Sequence, residues 1–319
     1  PDEVAAKVAQ IYPKLDSRLQ ESALEILSKK NGITKIYSEL FGKAVSDYGH
    51  YIVEPAAKAF VADNELPAEV ENKLIFTATS DSFEKSSAIF ALGILEPILQ
   101  ESPFEILIEA LKDNRYEVRN TSLDALRKIG KNKKALTPII IKMLNDDEKR
   151  VCENAIKTLG SFGHFAEEAI PSLVELGVAN GSKYSTMVSQ ALADIGVKAI
   201  PALINLFGST NSSISREALY VLRDAKLDVV PALINGLEST QPNIRLFSTI
   251  LIGDKGPIAI AAKSKLIDLL DDVDARIRKY AVYALGQIDN DSEQTLDLLV
   301  NKLQDESLEV QLEAIEAIS

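Results

Sequence analysis

The stretch LIDLLDDVDARIRKYAVYALGQI, residues 266–288, decides the fold. Its last seven letters return in altered form as AIFALGIL (88–95), LDALRKIG (123–130), AIKTLGSFG (155–163) and SQALADIG (189–196). Each copy has alanine or another small residue followed by leucine, and often by glycine. A unit that recurs in this way predicts an array of repeats rather than a single catalytic centre.

The composition is that of a folded protein without membrane segments. Hydrophobic residues make up 46% of the 319 residues and charged residues 26%, which argues against disorder. No run approaches the roughly 18 apolar residues of a membrane helix, so we expect no membrane insertion. The first residues lack the profile of a signal peptide. A single cysteine, Cys152, cannot form an internal disulfide, which favours a reducing, cytoplasmic location.

The chain is acidic, with a net charge of −12 from 47 acidic and 35 basic residues. Long-range repulsion therefore disfavours a polyphosphate partner, and we expect no nucleic acid to bind. One basic cluster could override this locally, but its residues fall at a predicted helix end and in the next loop, where solvated lysines are ordinary. The cluster comprises Arg127, Lys128, Lys131, Lys133 and Lys134.

The repeat is defined by an anchor residue near the start of the second helix of each unit. Successive anchors are 33 or 30 residues apart. Small or aliphatic residues stand four and eight positions after them, on one stripe of a helix. An aliphatic pair stands eleven and ten positions before each anchor and marks a first helix. The anchors are Val118, Val151, Tyr184, Ile214, Ile244, Ile277 and Val310.

Prolines support the same interpretation of helix, short turn, helix. They precede four of the aliphatic pairs by two residues, and we place them in the first turn of the first helix, where the missing N–H costs little. These prolines are Pro138, Pro171, Pro201 and Pro231.

We predict an all-α protein, an α-solenoid of stacked helical hairpins. About eight units cover residues 67–319, the first of them with a degraded pattern. Residues 1–66 are helical but less regular, and we interpret them as a divergent N-terminal cap. No linker rich in glycine, serine or charge interrupts the chain, so one continuous solenoid is preferred over two domains.

The unit P-x-L-I/V, then Asp, then V/I-R, then A-x-x-A-L-G-x-I resembles HEAT repeats. Its period and its A-L-G-x-I ending are most similar to the short type found in phycobilisome-lyase-like HEAT proteins. The resemblance covers 67–319 well and 1–66 poorly. It implies a HEAT-like superhelix, and it says little about function because one architecture hosts many roles.

HEAT repeats often link an aspartate in the turn to an arginine early in the second helix, which forms a ladder along the array. The resemblance implies such pairs for Asp113 with Arg119 and for Asp272 with Arg278. The middle units have Ala179 with Ser185 and Ser209 with Ser215 at these positions. We therefore predict that the ladder is broken in the centre and that the middle units are more deformable. The alternative is that serine contacts or packing replace the ion pairs.

Little in the sequence points to catalysis. The two histidines, His50 and His164, lie far apart, and neither belongs to a set of metal ligands. Phosphate-loop and G-x-S-x-G patterns are absent. The acidic run DNDSE (289–293) lacks the glycine and distant glutamate of a calcium loop. We expect a non-enzymatic protein with no catalytic residue, no cofactor and no metal.

A partner-binding site is predicted on the second helices, which the resemblance places on the inner face of the solenoid. Positions three and six after the anchor lie off the buried stripe. Between Met187 and Tyr283 they turn apolar and aromatic, while the outer units are polar there, as a solvated face should be. The alternative is burial of the same residues, because IRLFSTILIG (244–253) is apolar nearly all round. The predicted site residues are Met187, Tyr220, Phe247, Ile250, Tyr280 and Tyr283.

The leading hypothesis for function is a protein-binding scaffold, adaptor or assembly factor. The alternative, which follows from the lyase-like resemblance, is a subunit of a bilin lyase or isomerase acting on a phycobiliprotein. In that case the partner is a bilin-carrying protein, and Tyr280, Tyr283 and Glu313 contact the polar edges of the tetrapyrrole.

Overall fold

The computed structural model describes residues 2–29, 32–36, 38–47, 50–179, 183–289 and 292–319. Helices and turns account for these ranges, and no strand occurs in them. The chain divides into two compact units. The first comprises Pro1–Lys133 and Asn145–Thr158, and the second comprises Lys134–Leu144 and Leu159–Ser319. The predicted all-α fold class is confirmed.

The region before the regular repeats is helical, as predicted. The proposed boundary at residue 66 lies inside the first unit and stays a prediction. The helices are α1 (Asp2–Ile11), α2 (Ser17–Ser28), α3 (Ile33–Ile36), α4 (Ser38–Asp47), α5 (His50–Asp63), α6 (Ala68–Thr79) and α7 (Lys85–Leu95).

Seven pairs of helices follow along the chain, and every anchor lies in the first turn of a second helix or just before it. The pairs are α8 (Phe104–Ala110) and α9 (Tyr116–Ile129), α10 (Lys133–Lys142) and α11 (Lys149–Phe162), α12 (Ile170–Ala179) and α13 (Ser185–Ile195), α14 (Ile200–Asn205) and α15 (Ser212–Asp224), α16 (Val230–Leu237) and α17 (Pro242–Lys255), α18 (Lys263–Leu269) and α19 (Ala275–Ile288), and α20 (Glu293–Asn301) and α21 (Leu308–Ile318).

The repeat positions form the core. All seven anchors are buried, and so are the residues four positions after them and the aliphatic residues eleven positions before them. The position eight after the anchor is buried in six repeats, whereas Ile318 on α21 is exposed. A small residue four positions after the anchor leaves room for the first helix of the repeat. This explains the small side chains of Ser122, Ala218 and Ala281.

The glycine of the A-L-G motif allows close packing between successive second helices. A Cβ on Gly286 of α19 would lie 3.0 Å from the Cβ of Ala317 on α21. A Cβ on Gly160 would lie 3.1 Å from the Cα of Ala191 on α13. Both distances are tighter than ordinary van der Waals contact, so a larger residue would push the helices apart. The motif that revealed the repeat is therefore a helix-packing motif.

Proline positions follow the prediction in three of four repeats. Pro171, Pro201 and Pro231 each stand second in a first helix. Pro138 was predicted there too, and this is wrong, because it lies inside α10. That helix begins earlier, at Lys133, since the preceding residues are good helix formers. The carbonyl group that Pro138 leaves without its donor belongs to Lys134, which is exposed and accessible to water.

An ion-pair ladder links successive repeats, but not in the predicted way. Arg119 donates to both carboxylate oxygens of Asp146, over 2.7 Å from Nε and 2.6 Å from Nη2. Arg245 binds Asp272 in the same two-pronged manner, and Arg278 binds Asp305. Each pair therefore joins an arginine to the aspartate of the next repeat.

The pairs expected within one repeat are wrong. Arg119 donates to the backbone carbonyl oxygen of Asp113 over 2.8 Å, and Arg278 donates to that of Asp272 over 2.9 Å. The reason is geometric, since a guanidinium group that caps the carbonyl of its own turn directs its other nitrogens towards the following repeat. The carboxylate of Asp113 instead binds Arg115 and Lys85.

The predicted break in the ladder is present. Cys152, Ser185 and Ser215 stand at the position that Arg119, Arg245 and Arg278 hold in three other repeats. Between the repeats of Ser215 and Ser239, the turn has the same hydrogen bond as in the ladder repeats but no charged side chain. Ser239 Oγ accepts a hydrogen bond from Gln241 N over 3.2 Å, as Asp272 Oδ1 accepts one from Asp274 N over 2.9 Å. Ser215 Oγ donates to the carbonyl oxygen of Leu206 over 2.8 Å. Both serine bonds stay within one repeat, whereas each ion pair of the ladder joins two repeats.

Candidate partner-binding surface

The six predicted site residues lie on four second helices of the second unit. Met187 is on α13, Tyr220 on α15, Phe247 and Ile250 on α17, and Tyr280 and Tyr283 on α19. These helices pack in succession, α13 on α15, α15 on α17 and α17 on α19. The chain fold thus brings residues that are almost a hundred positions apart onto one layer of helices. We call these six residues the aromatic strip.

The strip is accessible rather than interior. Tyr220 is 53% exposed, and the other five side chains are half-buried. None of the six is fully buried. Their role in binding stays a prediction.

Two aromatic rings of the strip are held in place from beneath. The Phe247 ring lies 5.4 Å from the ring of Phe207, which is fully buried. The Tyr283 ring covers Gly253 of α17, where a Cβ would lie 2.5 Å from its Cε1 atom. One face of each ring is therefore packed on the protein while the side chain keeps exposed area. Such rigid, partly exposed aromatic rings lose little conformational entropy when a partner binds.

Tyr280 and Tyr283 form a pair on the surface of α19. Their ring centroids are 6.4 Å apart and the rings are perpendicular, a favourable edge-to-face geometry. The ammonium group of Lys279 lies 5.6 Å from the centroid of Tyr280, within range of a cation–π contact. These contacts fix the orientation of both rings.

A polar network ends the strip at Tyr283. Its hydroxyl donates to Asp254 Oδ1 over 3.3 Å, and Arg223 Nε donates to Asp254 Oδ2 over 2.8 Å. Burial and the carboxylate of Asp254 raise the pKa of Tyr283 above the ordinary value for tyrosine. Sequence reasoning missed Asp254 and Arg223. Reading the tenth and ninth positions after the anchors, where they stand, would have found them.

Glu313 on α21 borders the strip next to Lys279. Burial raises the pKa of its carboxyl group above the ordinary value for glutamate. The Lys279 Nζ atom lies 3.5 Å from Glu313 Oε2, which offsets part of this effect. The residue is therefore a half-buried acid at the edge of an apolar surface.

A groove between α13 and α15 extends the surface beside Tyr220. Its volume is about 620 Å³. Three carboxylates and a single lysine line it, so its charge is negative. Sequence reasoning missed this groove because its walls come from two helices and the loop after α15. The lining side chains with polar groups are Thr186, Gln190, Asp194, Glu217, Tyr220, Asp224 and Lys226.

The same repeat positions behave differently in the first unit. Thr121 and Asn154 were expected on a solvated face, and this is wrong, because both are buried. The Oγ1 atom of Thr121 is 2.8 Å from Ser86 Oγ. Asn154 Nδ2 donates to the carbonyl oxygen and to Oδ1 of Asn120, both over 3.1 Å. Polar groups at these positions bond to the preceding second helix, which removes them from solvent.

The part of the chain that the structure describes has neither a metal-ligand cluster nor a membrane-spanning helix. It contains no group of three histidine, cysteine or carboxylate side chains placed to hold a metal ion. The acidic run 289–293 includes Asn290 and Asp291, which lie outside the described residues. None of the described helices combines the length and apolarity needed to cross a bilayer.

Two segments of the repeat region match a known family model. A family model described as HEAT repeats matches residues 104–184 and 264–319. These two segments are similar to HEAT repeats. The two HEAT segments include Arg119 and Arg278 of the ladder. The family description is general, and the lyase-like subtype stays a prediction. No match was found among the curated proteins.

Several solved structures are similar to this chain at low sequence identity. A crystal structure of importin beta aligns with 99% of this chain at 14% identity and a TM-score of 0.53. The alignment covers 51% of importin beta, so this chain spans about half the length of that protein. An engineered protein aligns over 98% of both chains at 20% identity and a TM-score of 0.44. Kap121p bound to Pho4p aligns over 99% of this chain and 44% of its own length, at 15% identity and a TM-score of 0.47. The likeness to importin beta supports an α-solenoid fold.

Proposed function

We propose that this protein is a non-enzymatic scaffold, adaptor or assembly factor that binds another protein through the aromatic strip. The observation that carries the proposal is the set of six apolar and aromatic side chains on adjacent second helices, none of which is buried. Tyrosine, phenylalanine and methionine are enriched at protein interfaces. Stacked repeats supply an extended surface of the kind such binding uses.

The chemistry of the surface points to an apolar partner segment with basic flanks. Phe247 and the Tyr280–Tyr283 pair offer anchored rings for bulky apolar side chains. The groove beside Tyr220 is acidic, with Asp194, Glu217 and Asp224 against a single lysine. Lysine or arginine residues of a partner would be attracted there, which raises the rate of association and favours one orientation.

The lyase alternative rests on the sequence resemblance alone. Tyr283 already donates to Asp254, and Glu313 already lies beside Lys279, so the polar groups named for the tetrapyrrole have partners in the protein. No observation on the described residues favours a bilin. The cytoplasmic location that we propose rests on the single cysteine of the chain.

Selection of peptides from a random library tests the proposal. The full chain is immobilised, and the library is selected on it and counter-selected on the Phe247→Ser/Tyr280→Ser variant. We expect recovered peptides that combine bulky apolar residues with lysine or arginine. Their affinity for the double variant should be lower by about tenfold or more, since truncating interface anchors removes over 1 kcal/mol each.

The matched control is Ile258→Ser, which removes an exposed apolar side chain outside the strip. It should leave peptide binding unchanged, and the double variant should keep nearly the wild-type melting temperature. If the double variant unfolds, Tyr220→Ser replaces it, because this side chain is the most exposed of the strip. Equal binding of the peptides to wild type and variants would refute the proposal, and so would failure to recover any peptide.

A further inference from the structure

The groove between α13 and α15 has one wall from each helix, and both walls carry carboxylates. Thr186, Gln190 and Asp194 recur every fourth residue on α13, so they form one stripe along its wall. Glu217 and Asp224 lie seven residues apart on α15, two turns along the same side of that helix. We call this the acidic groove.

The acidic groove also has an apolar lining. Ala193, Val221 and Leu227 contribute half-buried side chains to it. Tyr220, which belongs to the aromatic strip, lines it as well and is 53% exposed. The volume of about 620 Å³ leaves room for a long side chain. A side chain with an apolar stem and a charged end suits such a groove, because each part meets its own kind of surface.

The carboxylates of the acidic groove differ in their pairing from the carboxylate at the other end of the strip. Asp254 accepts hydrogen bonds from Arg223 and Tyr283, so its charge is compensated. Within the described residues, neither Glu217 nor Asp224 has a hydrogen bond or an ion pair through its side chain. The acidic groove therefore has negative charge that is free to bind a cation from a partner.

Arginine fits these features better than lysine. Its planar guanidinium group has five N–H donors, enough to bond to carboxylates on both walls at once. It also stacks on aromatic rings such as that of Tyr220. A guanidinium group is less strongly hydrated than an ammonium group, so it loses less when it enters a groove with an apolar lining.

The neighbouring helices set the distance between this side chain and the rest of the partner. α15 and α17 pack on each other, and the axes of packed helices are about 8–10 Å apart. An extended chain covers this distance in about three residues. A partner residue that packs on Phe247 of α17 thus has its neighbour over the acidic groove about three residues away.

We propose that the acidic groove binds an arginine side chain of the partner, about three residues from the bulky apolar residue that packs on Phe247. The argument is charge complementarity, since the groove combines carboxylates on both walls with an apolar lining. The guanidinium group binds Asp224 and the opposite wall, and the aliphatic stem lies against Tyr220. This inference rests on the proposed binding role of the aromatic strip and names the residue that orients the partner.

Peptides selected on the full chain for binding to the aromatic strip test this inference. Each basic residue of a peptide is replaced in turn by arginine, lysine, citrulline or alanine, and the affinity is measured by titration calorimetry. At one position we expect arginine to bind about tenfold more tightly than alanine, as charge-assisted hydrogen bonds should. Lysine should be intermediate, and citrulline, which keeps the shape without the charge, should bind like alanine.

Asp224→Asn identifies the group that binds the arginine. On this variant the advantage of arginine over alanine should fall to about threefold or less, as a double-mutant cycle of two contacting groups requires. The variant should fold, because Asp224 ends α15, where a negative charge opposes the helix dipole. If it does not fold, Glu217→Gln takes its place. Lys226→Ala removes a competing cation and should increase the affinity for the arginine peptide.

The control is Asp268→Asn, which removes an exposed carboxylate from the first helix α18. It should keep the full advantage of arginine. Equal binding of the arginine and alanine peptides at every position would overturn the inference and leave the strip as the binding site. So would an advantage that Asp224→Asn and Glu217→Gln do not reduce. Peptides that bind regardless of Phe247 and Tyr280 would overturn the proposed function, and this inference with it.

Discussion

The aromatic strip crosses two halves of the second unit that are built differently. In one half, α17 and α19 carry Arg245 and Arg278, and each guanidinium group binds the aspartate of the next repeat through two hydrogen bonds. In the other half, α13 and α15 carry Ser185 and Ser215 at the same position. Four residues of the strip lie on the arginine half, whereas Met187 and Tyr220 lie on the serine half.

The difference separates rigidity from stability. Both halves bury the same apolar positions, so hydrophobic packing alone would make them equally firm. Buried ion pairs add little net stability, but they fix geometry. If one partner moves away, the charge of the other stays buried without a counter-ion, which is costly. We infer that the arginine half holds Phe247, Tyr280 and Tyr283 in a preformed arrangement. The serine half can shift to fit a partner.

The largest expected effect comes from removing an arginine of the ladder. Arg278→Ala leaves the buried carboxylate of Asp305 without its cation, and we expect a loss of about 3 kcal/mol in the free energy of unfolding. Arg276→Ala is the control, because Arg276 is exposed and bound to Asp274 on the surface. It should cost less than about 1 kcal/mol. Urea denaturation measures both, and equal losses would mean that burial of the pair is unimportant.

Hydrogen exchange compares the two halves directly. The free energy of opening measured by amide exchange should be about 1–2 kcal/mol lower for α13 and α15 than for α17 and α19. The reason is that no ladder ion pair holds the serine half. Mass spectrometry of the exchanged, digested protein gives this comparison in one experiment. Uniform protection across the four helices would show that serine contacts and packing fully replace the ion pairs.

Acid titration should separate two carboxyl groups of opposite character. Arg278 holds the pKa of Asp305 below its ordinary value, so Asp305 stabilises the fold above about pH 4 and loses this effect as the pH falls. Burial raises the pKa of Glu313, so its stabilising contribution exists at acidic pH and is lost as the pH rises through that pKa.

Two variants check these signs. Asp305→Asn should lower stability at pH 7 and flatten the loss of stability in acid. Glu313→Gln should raise stability at pH 7 by less than about 1 kcal/mol, a usual size for a partly exposed position. Melting temperatures measured between pH 7 and pH 3 give both results. The assignment fails if Glu313→Gln is destabilising at neutral pH.

The smallest effect is expected from extending the ladder into the serine half. Ser215→Arg with Ser239→Asp supplies the two missing partners at the step between α15 and α17. Ser239 already accepts the turn hydrogen bond that Asp272 accepts one repeat later, so the backbone is prepared. We expect a gain of about 0.5 kcal/mol and slower exchange in α15. Each single substitution is the control and should be neutral or destabilising.

The fold could be predicted from the sequence because the same pattern of buried positions occurs in seven repeats. A stripe of anchors and small residues on one side of a helix predicts that this side packs against other helices. The burial of all seven anchors agrees with this prediction. Pro138 was misplaced because the helix propensity of Lys133 and its neighbours extends α10 beyond the pattern.

The site could be predicted only in part, since its polar contacts depend on neighbours that are distant in the sequence. Spacing placed the strip on exposed helix positions, but it could not show that Tyr283 reaches Asp254 on another helix. The predicted pairing of the ladder residues was wrong for the same reason. Spacing places Asp272 and Arg278 six residues apart, whereas only the stacking of repeats shows that Arg278 turns to Asp305.

Hydroxyl-radical footprinting of the full chain with a selected peptide tests the central claim most directly. It oxidises exposed methionine and aromatic side chains, which make up most of the strip. We predict that the peptide lowers oxidation of Met187, Tyr220 and Phe247 and of the Tyr280–Tyr283 pair. Oxidation of Phe76 and Phe83, which are exposed in the first unit, should not change. Protection of those two phenylalanines, with unchanged oxidation along the strip, would contradict the account.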